Sequence, residues 1–214
     1  MIQDTNVTPT LAGLALRPRA RGSLVTTAAI ALLLGALGAR PADAQSWRAT
    51  QGDVRIAVPL RPGGGFEAKT QSLKGTLSLA AADPVQLTGE LELELGTIDT
   101  GITLRNQHLR ENYLEVGKPG FDKAVLSEIR VGEARTVTFE GRSSFAGTLK
   151  LHGVTHAIGG SAELKKEAGG MRVSASFPLV LTDFGVEPPQ YMGVGVGNRL
   201  IVKVTFLAAP AGAR

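Results

Sequence analysis

From Val85 to Leu95 apolar and polar side chains alternate. Val85, Leu87, Leu91, Leu93 and Leu95 fall on one face of an extended chain, and Gln86, Thr88, Glu90, Glu92 and Glu94 on the other. A period of two belongs to a pleated strand and cannot hold to one face of a helix. The pattern recurs at Val54, Ile56 and Val58, at Val137 and Phe139, at Phe145, Gly147, Leu149 and Leu151, at Val173, Ala175, Phe177, Leu179 and Leu181, and at Leu200, Val202, Val204 and Phe206. Val125 to Val131 and Ser161 to Lys166 add strands of similar composition. About eight strands at this spacing predict an all-β, antiparallel, up-and-down barrel with one short helix. Closure removes the edges that so much β-structure would otherwise expose. Glu90, Glu92 and Glu94 stand ~7 Å apart along one strand with nothing acidic opposed to them, so they read as a solvated face rather than a metal or acid–base site.

Between the strands, Arg61-Pro62-Gly63-Gly64-Gly65 reads as a turn or mobile loop. No Lys-Ser/Thr follows it and no helix begins there, which excludes a phosphate cradle. Gly75 marks a bulge or bend within Phe66 to Leu79, and Ala81 to Pro84 a turn. Arg105 to Leu114 breaks the β rhythm and predicts the short helix, with Leu104, His108 and Leu109 roughly on one face. Gly159-Gly160 separates two strands, and Glu167 to Gly170 is a hairpin turn. Thr182 to Pro189 turns the chain out of a strand. Gly193-Val194-Gly195-Val196-Gly197 lacks the spacing and the following helix of a dinucleotide loop, and reads as a flexible rim loop.

Residues 1–44 predict an export signal. Arg17, Arg19 and Arg21 precede an apolar run from Leu24 to Ala39, and Ala42-Asp43-Ala44 gives a small-residue cleavage pattern that leaves Gln45 as the new amino terminus. The run is shorter than the ~20 residues that span a bilayer comfortably. A single periplasmic domain, 45–214, is therefore expected. The leader holds four arginines against Asp4 and Asp43, so it carries +2 of the chain's net +4, and no basic block with interleaved aromatics points to nucleic acid. The sequence has no cysteine, which excludes disulfides, a lipid-modified cysteine and thiolate metal sites.

The strand Phe145 to Leu151 runs into His152-Gly153, where glycine lets the chain bend, and Val154 to Ile158 resumes β composition. The run Gly147-Thr148-Leu149-Lys150-Leu151-His152-Gly153-Val154-Thr155-His156 resembles the most typical strand–turn of the YceI-like family, exported lipocalin-like barrels that bind polyisoprenoids. Ile98-Asp99-Thr100-Gly101 followed by Arg105 to Arg110 and Tyr113 to Val116 is similar to that family's helical crossing. Phe177 to Val186 resembles its penultimate strand and "D-F-G-V" exit, and Val196 to Leu200 the entry to its last strand. The chain departs from the family at Leu181, where an Arg is usual, in Lys118 to Ala124, and in the opening Ser46 to Gly75.

The resemblance implies a lipocalin-like β-barrel that carries a long apolar lipid, a polyisoprenoid or isoprenoid quinone, with no chemistry and no cofactor of its own. Leu91, Leu93, Phe145, Leu149, Leu151, Phe177, Leu179 and Phe184 are the candidate wall of its cavity, and Arg105 and His108 its candidate polar end. Stripes of Leu and Val with few aromatics suit a flexible aliphatic chain. A barrel of ~8 strands either fills itself with side chains or holds one small ligand. The protein is expected to be a monomer or homodimer with transient membrane contact. Two other readings stand beside the carrier: a secreted interaction or stress-related module with a dry barrel, and a hydrolytic enzyme using His108 and His152, with His156 and Asp183 nearby in type. No Gly-x-Ser-x-Gly elbow supplies a nucleophile, and the histidines are poorly spaced for a shared metal.

Overall fold

The alternating segments are strands. The computed structural model describes residues 46–80, 86–132 and 140–212. The expected signal (1–44), the turn at Ala81–Pro84 with Val85, and Val137 and Phe139 lie outside these. In chain order the strands are β1 (Ser46–Arg61), β2 (Gly65–Thr70), β3 (Lys74–Ala80), β4 (Gln86–Glu94), β5 (Lys123–Val131), β6 (Gly141–Leu151), β7 (Val154–Glu167), β8 (Gly170–Val180), β9 (Gln190–Tyr191), β10 (Val194–Val196) and β11 (Arg199–Pro210). One α-helix, α1 (Thr103–His108), runs into a wider π-type turn at Leu109–Tyr113.

Eight of the strands form the ring β1-β3-β4-β5-β6-β7-β8-β11, and β11 pairs back onto β1 to close it, all antiparallel. β1 is long enough to serve two partners. Its first half faces β3, from Ser46 opposite Ser78, and its second half faces β2, from Val54 opposite Thr70. β2 and β3 are thus one wall interrupted at Gln71–Leu73, not at Gly75. Gly75 instead lets β3 approach β4, because a Cβ there would come within 2.1 Å of the Glu90 carbonyl oxygen.

Among the described residues the greasy stripes face inward and divide the interior into two zones. Ala49, Leu77, Leu91, Ile129, Met171, Phe206 and Ala208 plug one end. A larger cluster around Val54, Leu95, Ile98, Leu149, Phe177, Phe184 and Val202 occupies the other. On the outer face Glu94 pairs with Lys74 at 2.6 Å and Glu92 with Lys123 at 3.1 Å. The run of carboxylates is a solvated, ion-paired surface, of the kind that contributes little to stability.

Two further expectations change. Gly159-Gly160 does not end a strand, because β7 runs through it with Phe145 opposite Gly160. A Cβ on Gly160 would meet the Ser176 carbonyl at 2.2 Å, so the glycine is needed for close packing of β7 on β8. The Gly193–Gly197 segment is not a flexible loop but the second arm of a small hairpin, β9–β10, with Val194 opposite Tyr191. This hairpin docks on the end of β1, where Leu60 faces Val196 and Arg61 faces Gly195. Of the two readings of Arg61–Gly65, turn or mobile loop, the structure has the turn: a tight β1–β2 connection in which the Leu60 N–H donates to the Gly64 carbonyl at 3.0 Å.

Candidate functional site

At the unplugged end of the barrel the inward stripes enclose a cavity of about 600 Å³. Leu91 and Leu93 of β4, Leu149 and Leu151 of β6, Phe177 and Leu179 of β8, and Val54, Ile56 and Val58 of β1 form its wall. Leu200, Val202 and Val204 of β11 complete the ring. The segment from Ile98 to Leu114, which contains α1, lies across it, and Val194 to Val196 of the small hairpin border it. Among the described residues its one charged lining residue is Arg105, and Thr100, His108, Tyr113 and Gln190 are the other polar side chains that touch it.

A six-residue helix is too short to hold itself in water, so its position is imposed from outside. Asp99 and Lys69 exchange backbone hydrogen bonds, each at 2.9 Å, which fixes the approach to the helix. The Asn106 side chain donates to the Asp99 carboxylate at 2.9 Å and accepts from the Thr100 N–H at 2.8 Å and the Thr100 hydroxyl at 2.7 Å. The Asn106 bond foremost, and then a backbone N–H from Gly101, hold the Asp99 carboxyl below its ordinary value. The Arg105 guanidinium lies 4.0 Å above the Phe66 ring, and both side chains line the cavity. A cation stacked on a ring keeps its charge while its flat face is covered by carbon.

The His152-Gly153 corner is a two-residue hairpin turn. Leu151 faces Val154, and both turn residues have positive φ, 51° and 76°, as a primed turn requires. The His152 ring is 12% exposed. Its Nδ1 is 3.2 Å from the Phe184 carbonyl oxygen, to which it donates, and its Nε2 is 3.1 Å from the Glu115 carboxylate. The Phe121 ring packs on it with centroids 4.4 Å apart. His152 therefore ties the β6–β7 corner to the chain leaving the helix and to the turn leaving β8. Glu115 also pairs with Lys118 at 2.5 Å. The Lys118 hydrogen bond foremost, and then the His152 bond, hold the Glu115 carboxyl below its ordinary value of 4.5. A depressed carboxyl stabilises the fold above its unfolded value, and that stabilisation is lost as pH falls through the folded one. Glu115→Gln should therefore flatten the acid limb of the stability profile and leave its slope above neutrality unchanged, as read by thermal melts from pH 3 to 8.

The three histidines do not meet. His108 is at the cavity, His152 is in the corner clamp, and the ring of His156 lies edge-on to Phe184 at 5.8 Å. Among the described residues no three His, Asp or Glu are placed to share a metal ion.

Of the residues expected at the site, Leu91, Leu93, Arg105, His108, Leu149, Leu151, Phe177 and Leu179 line the cavity. Phe145 and Phe184 do not. Phe145 packs edge-on against Phe177 at 5.9 Å, and Phe184 is buried between the corner clamp and His156. Sequence reasoning missed Phe66, Ile98, Tyr113 and the stripes of β1 and β11 as lining residues. The alternation of Val54, Ile56 and Val58 and of Leu200, Val202 and Val204 was a sufficient signal for the two stripes. Leu181, where the resemblance led us to look for an Arg, also lines the cavity and makes that part of it apolar.

No curated protein matches the sequence. Among solved structures the fold is similar to a polyisoprenoid-binding domain from Saccharophagus degradans implicated in plant cell wall breakdown. The TM-score is 0.58 at 16% identity, over 78% of this chain and 98% of that one. It is equally similar to Burkholderia cenocepacia BcnA, with a TM-score of 0.58 at 11% identity over 74% and 96% of the two chains. These likenesses are of fold. The model of the YceI-like domain matches residues 53–208, the whole ring from within β1 to within β11, and the chain belongs to that family.

Proposed function

We propose that the protein is a non-catalytic carrier that holds a long apolar lipid, a polyisoprenoid or isoprenoid quinone, inside the barrel, and that it works in the periplasm after cleavage behind Ala44. One observation carries the reading: a cavity of about 600 Å³ whose wall is Leu, Val, Ile and Phe from eight strands and whose single charge among the described residues is Arg105. Ligand pockets typically occupy ~300–1,000 Å³ with few polar groups. The polyisoprenoid-binding domain of the same fold from Saccharophagus degradans supports the ligand class.

The tail supplies the affinity. Each buried methylene contributes ~0.8 kcal/mol, so a five-carbon prenyl unit contributes roughly 3 kcal/mol. Eight such units would exceed the practical ceiling near 20 kcal/mol, so chain ordering and the lipid's membrane reference state must offset much of the gain. The head group is then placed by Arg105 and His108 at the helix end. With Leu181 in place of the usual Arg, Arg105 is the one cation left in the lining among the described residues.

Native mass spectrometry of protein recovered from the periplasm of its own host tests both parts at once. We expect a mass that begins at Gln45, plus one bound lipid that denaturation releases. A bare polypeptide would make the barrel a dry module, and a mass that includes Leu24 to Ala39 would make it membrane-anchored.

A further inference from the structure

The mouth of the cavity is greasy outside as well as inside. Among the described residues six large hydrophobic side chains are exposed, and four of them are here: Met192 (84%), Leu104 (61%), Val194 (51%) and Ile102 (49%). Ile102, Leu104 and Val194 also line the cavity, so apolar surface runs without a break from solvent into the barrel. They come from two separate elements, the approach to α1 and the β9–β10 hairpin.

Met192 is the informative one. It occupies the first central position of the β9–β10 turn, with φ 48°, ahead of Gly193 at φ 80°. A two-residue turn with both φ values positive prefers Asn or Gly there, and an L side chain such as methionine is disfavoured. A flexible thioether at the most exposed point of a strained turn breaks two local rules together and gains no packing in return. Local rules are broken where function requires it.

The framing segments Leu60–Phe66, Gly101–Arg110 and Pro188–Val196 carry Arg61, Arg105 and Arg110, of which Arg61 is the exposed one, with Glu67, Asp99, Glu111 and Glu187 just beyond their ends. Exposed apolar tips beside the exposed Arg61 match an interface of acyl chains below anionic head groups.

We infer that the β9–β10 hairpin and the start of α1 form a docking rim that sets the open end of the barrel onto an anionic membrane, Met192 entering the acyl layer and Arg61 meeting head groups. This rests on the carrier reading and deepens it: a lipid tail would pass from bilayer to cavity along Leu104 and Val194 without crossing water.

The test uses the mature protein and flotation with vesicles of phosphatidylethanolamine and phosphatidylglycerol, against vesicles of phosphatidylcholine alone. The wild type should float with the anionic vesicles and hardly with the others. Met192→Asn should lower that partition about tenfold and Arg61→Gln about fivefold. Neither side chain lines the cavity, so lipid already bound, read by native mass spectrometry, should not change. Met192→Asn should melt no lower than wild type, since Asn suits the turn. Wild-type protein that ignores anionic vesicles, or Met192→Asn that floats as well as wild type, overturns the docking rim. A less stable Met192→Asn overturns the argument from local strain. The lipid mass is scored separately. A lipid-bearing protein that does not float removes the rim and leaves the carrier; a protein that floats but never carries lipid removes the carrier and leaves a membrane-binding barrel.

Discussion

Leu149→Glu should empty the cavity. Leu149 is buried near the carboxyl end of β6, between Leu126 of β5 and His156 of β7 in register, and its side chain faces the lumen. Among the lining residues only Arg105 could offset a new carboxylate, and it is stacked on Phe66. A carboxylate left without a partner in such a space costs several kcal/mol, or takes up a proton, or draws in water. Each outcome removes the environment that an apolar tail needs. The next residue, Lys150, is exposed on the outer face, so Lys150→Glu is the matched control, one residue away and outside the barrel. We expect co-purified lipid to fall at least tenfold in Leu149→Glu and to remain in Lys150→Glu, with both variants retaining β-type circular dichroism. A folded Leu149→Glu with undiminished lipid would place the ligand elsewhere.

Phe184→Ala should do the opposite, weakening the fold while sparing the site. Phe184 is 1% exposed and is the largest fully buried side chain among the described residues. It closes the 3₁₀ turn after β8 and packs on the His156 ring, while its carbonyl receives the His152 hydrogen bond. Truncation leaves that carbonyl in place and removes only the ring. The expected loss is ~3–5 kcal/mol, a drop in melting temperature of roughly 10 °C for a domain of this size. Because the ring does not touch the cavity, lipid per folded molecule should stay at the wild-type level well below the melting temperature. Scanning calorimetry reads the first effect and native mass spectrometry the second. Lipid loss without destabilisation would return Phe184 to the binding wall.

These two variants also separate what the sequence could reveal from what it could not. Period-two alternation identifies Leu91, Leu93, Leu149, Leu151, Phe177 and Leu179 as inward residues, because one face of each strand must be buried whatever lies there. It does not say whether inward means cavity or plug. Leu91 belongs to both zones, and Phe206 continues the stripe of Val202 and Val204 yet fills the closed end. Phe145 has the same pattern as Leu149 and packs instead onto Phe177. Depth along the barrel is set by strand stagger, a property of eight strands together and not of any one. The β9–β10 hairpin was hidden for a different reason. Its strands are two and three residues long, and its turn uses Met192 where a hairpin signature would have Asn. The His152-Gly153 corner was legible because glycine in the second position marked it, although the clamp to Glu115 and Phe184 depends on residues 37 and 32 positions away.

The closure of the ring has a consequence in time. The pairings β1–β2, β3–β4, β5–β6, β6–β7 and β7–β8 join strands consecutive in the chain and can form as hairpins, on a scale of ~1–10 μs each, while β1–β3 and β4–β5 span intervening elements. The seam between β1 and β11 is different. It runs from Trp47 opposite Pro210 to Ala57 opposite Ile201, and the Thr50 hydroxyl that donates to the Leu207 carbonyl is separated from it by 157 positions. That seam is available only once the final strand has been delivered, and contacts of such separation are the slow ones. Until the seam forms, the inner, apolar face of the wall stays open along one side. If the barrel holds a lipid as proposed, a tail could be laid into that trough before the seam closes over it, a second route alongside entry through the finished mouth.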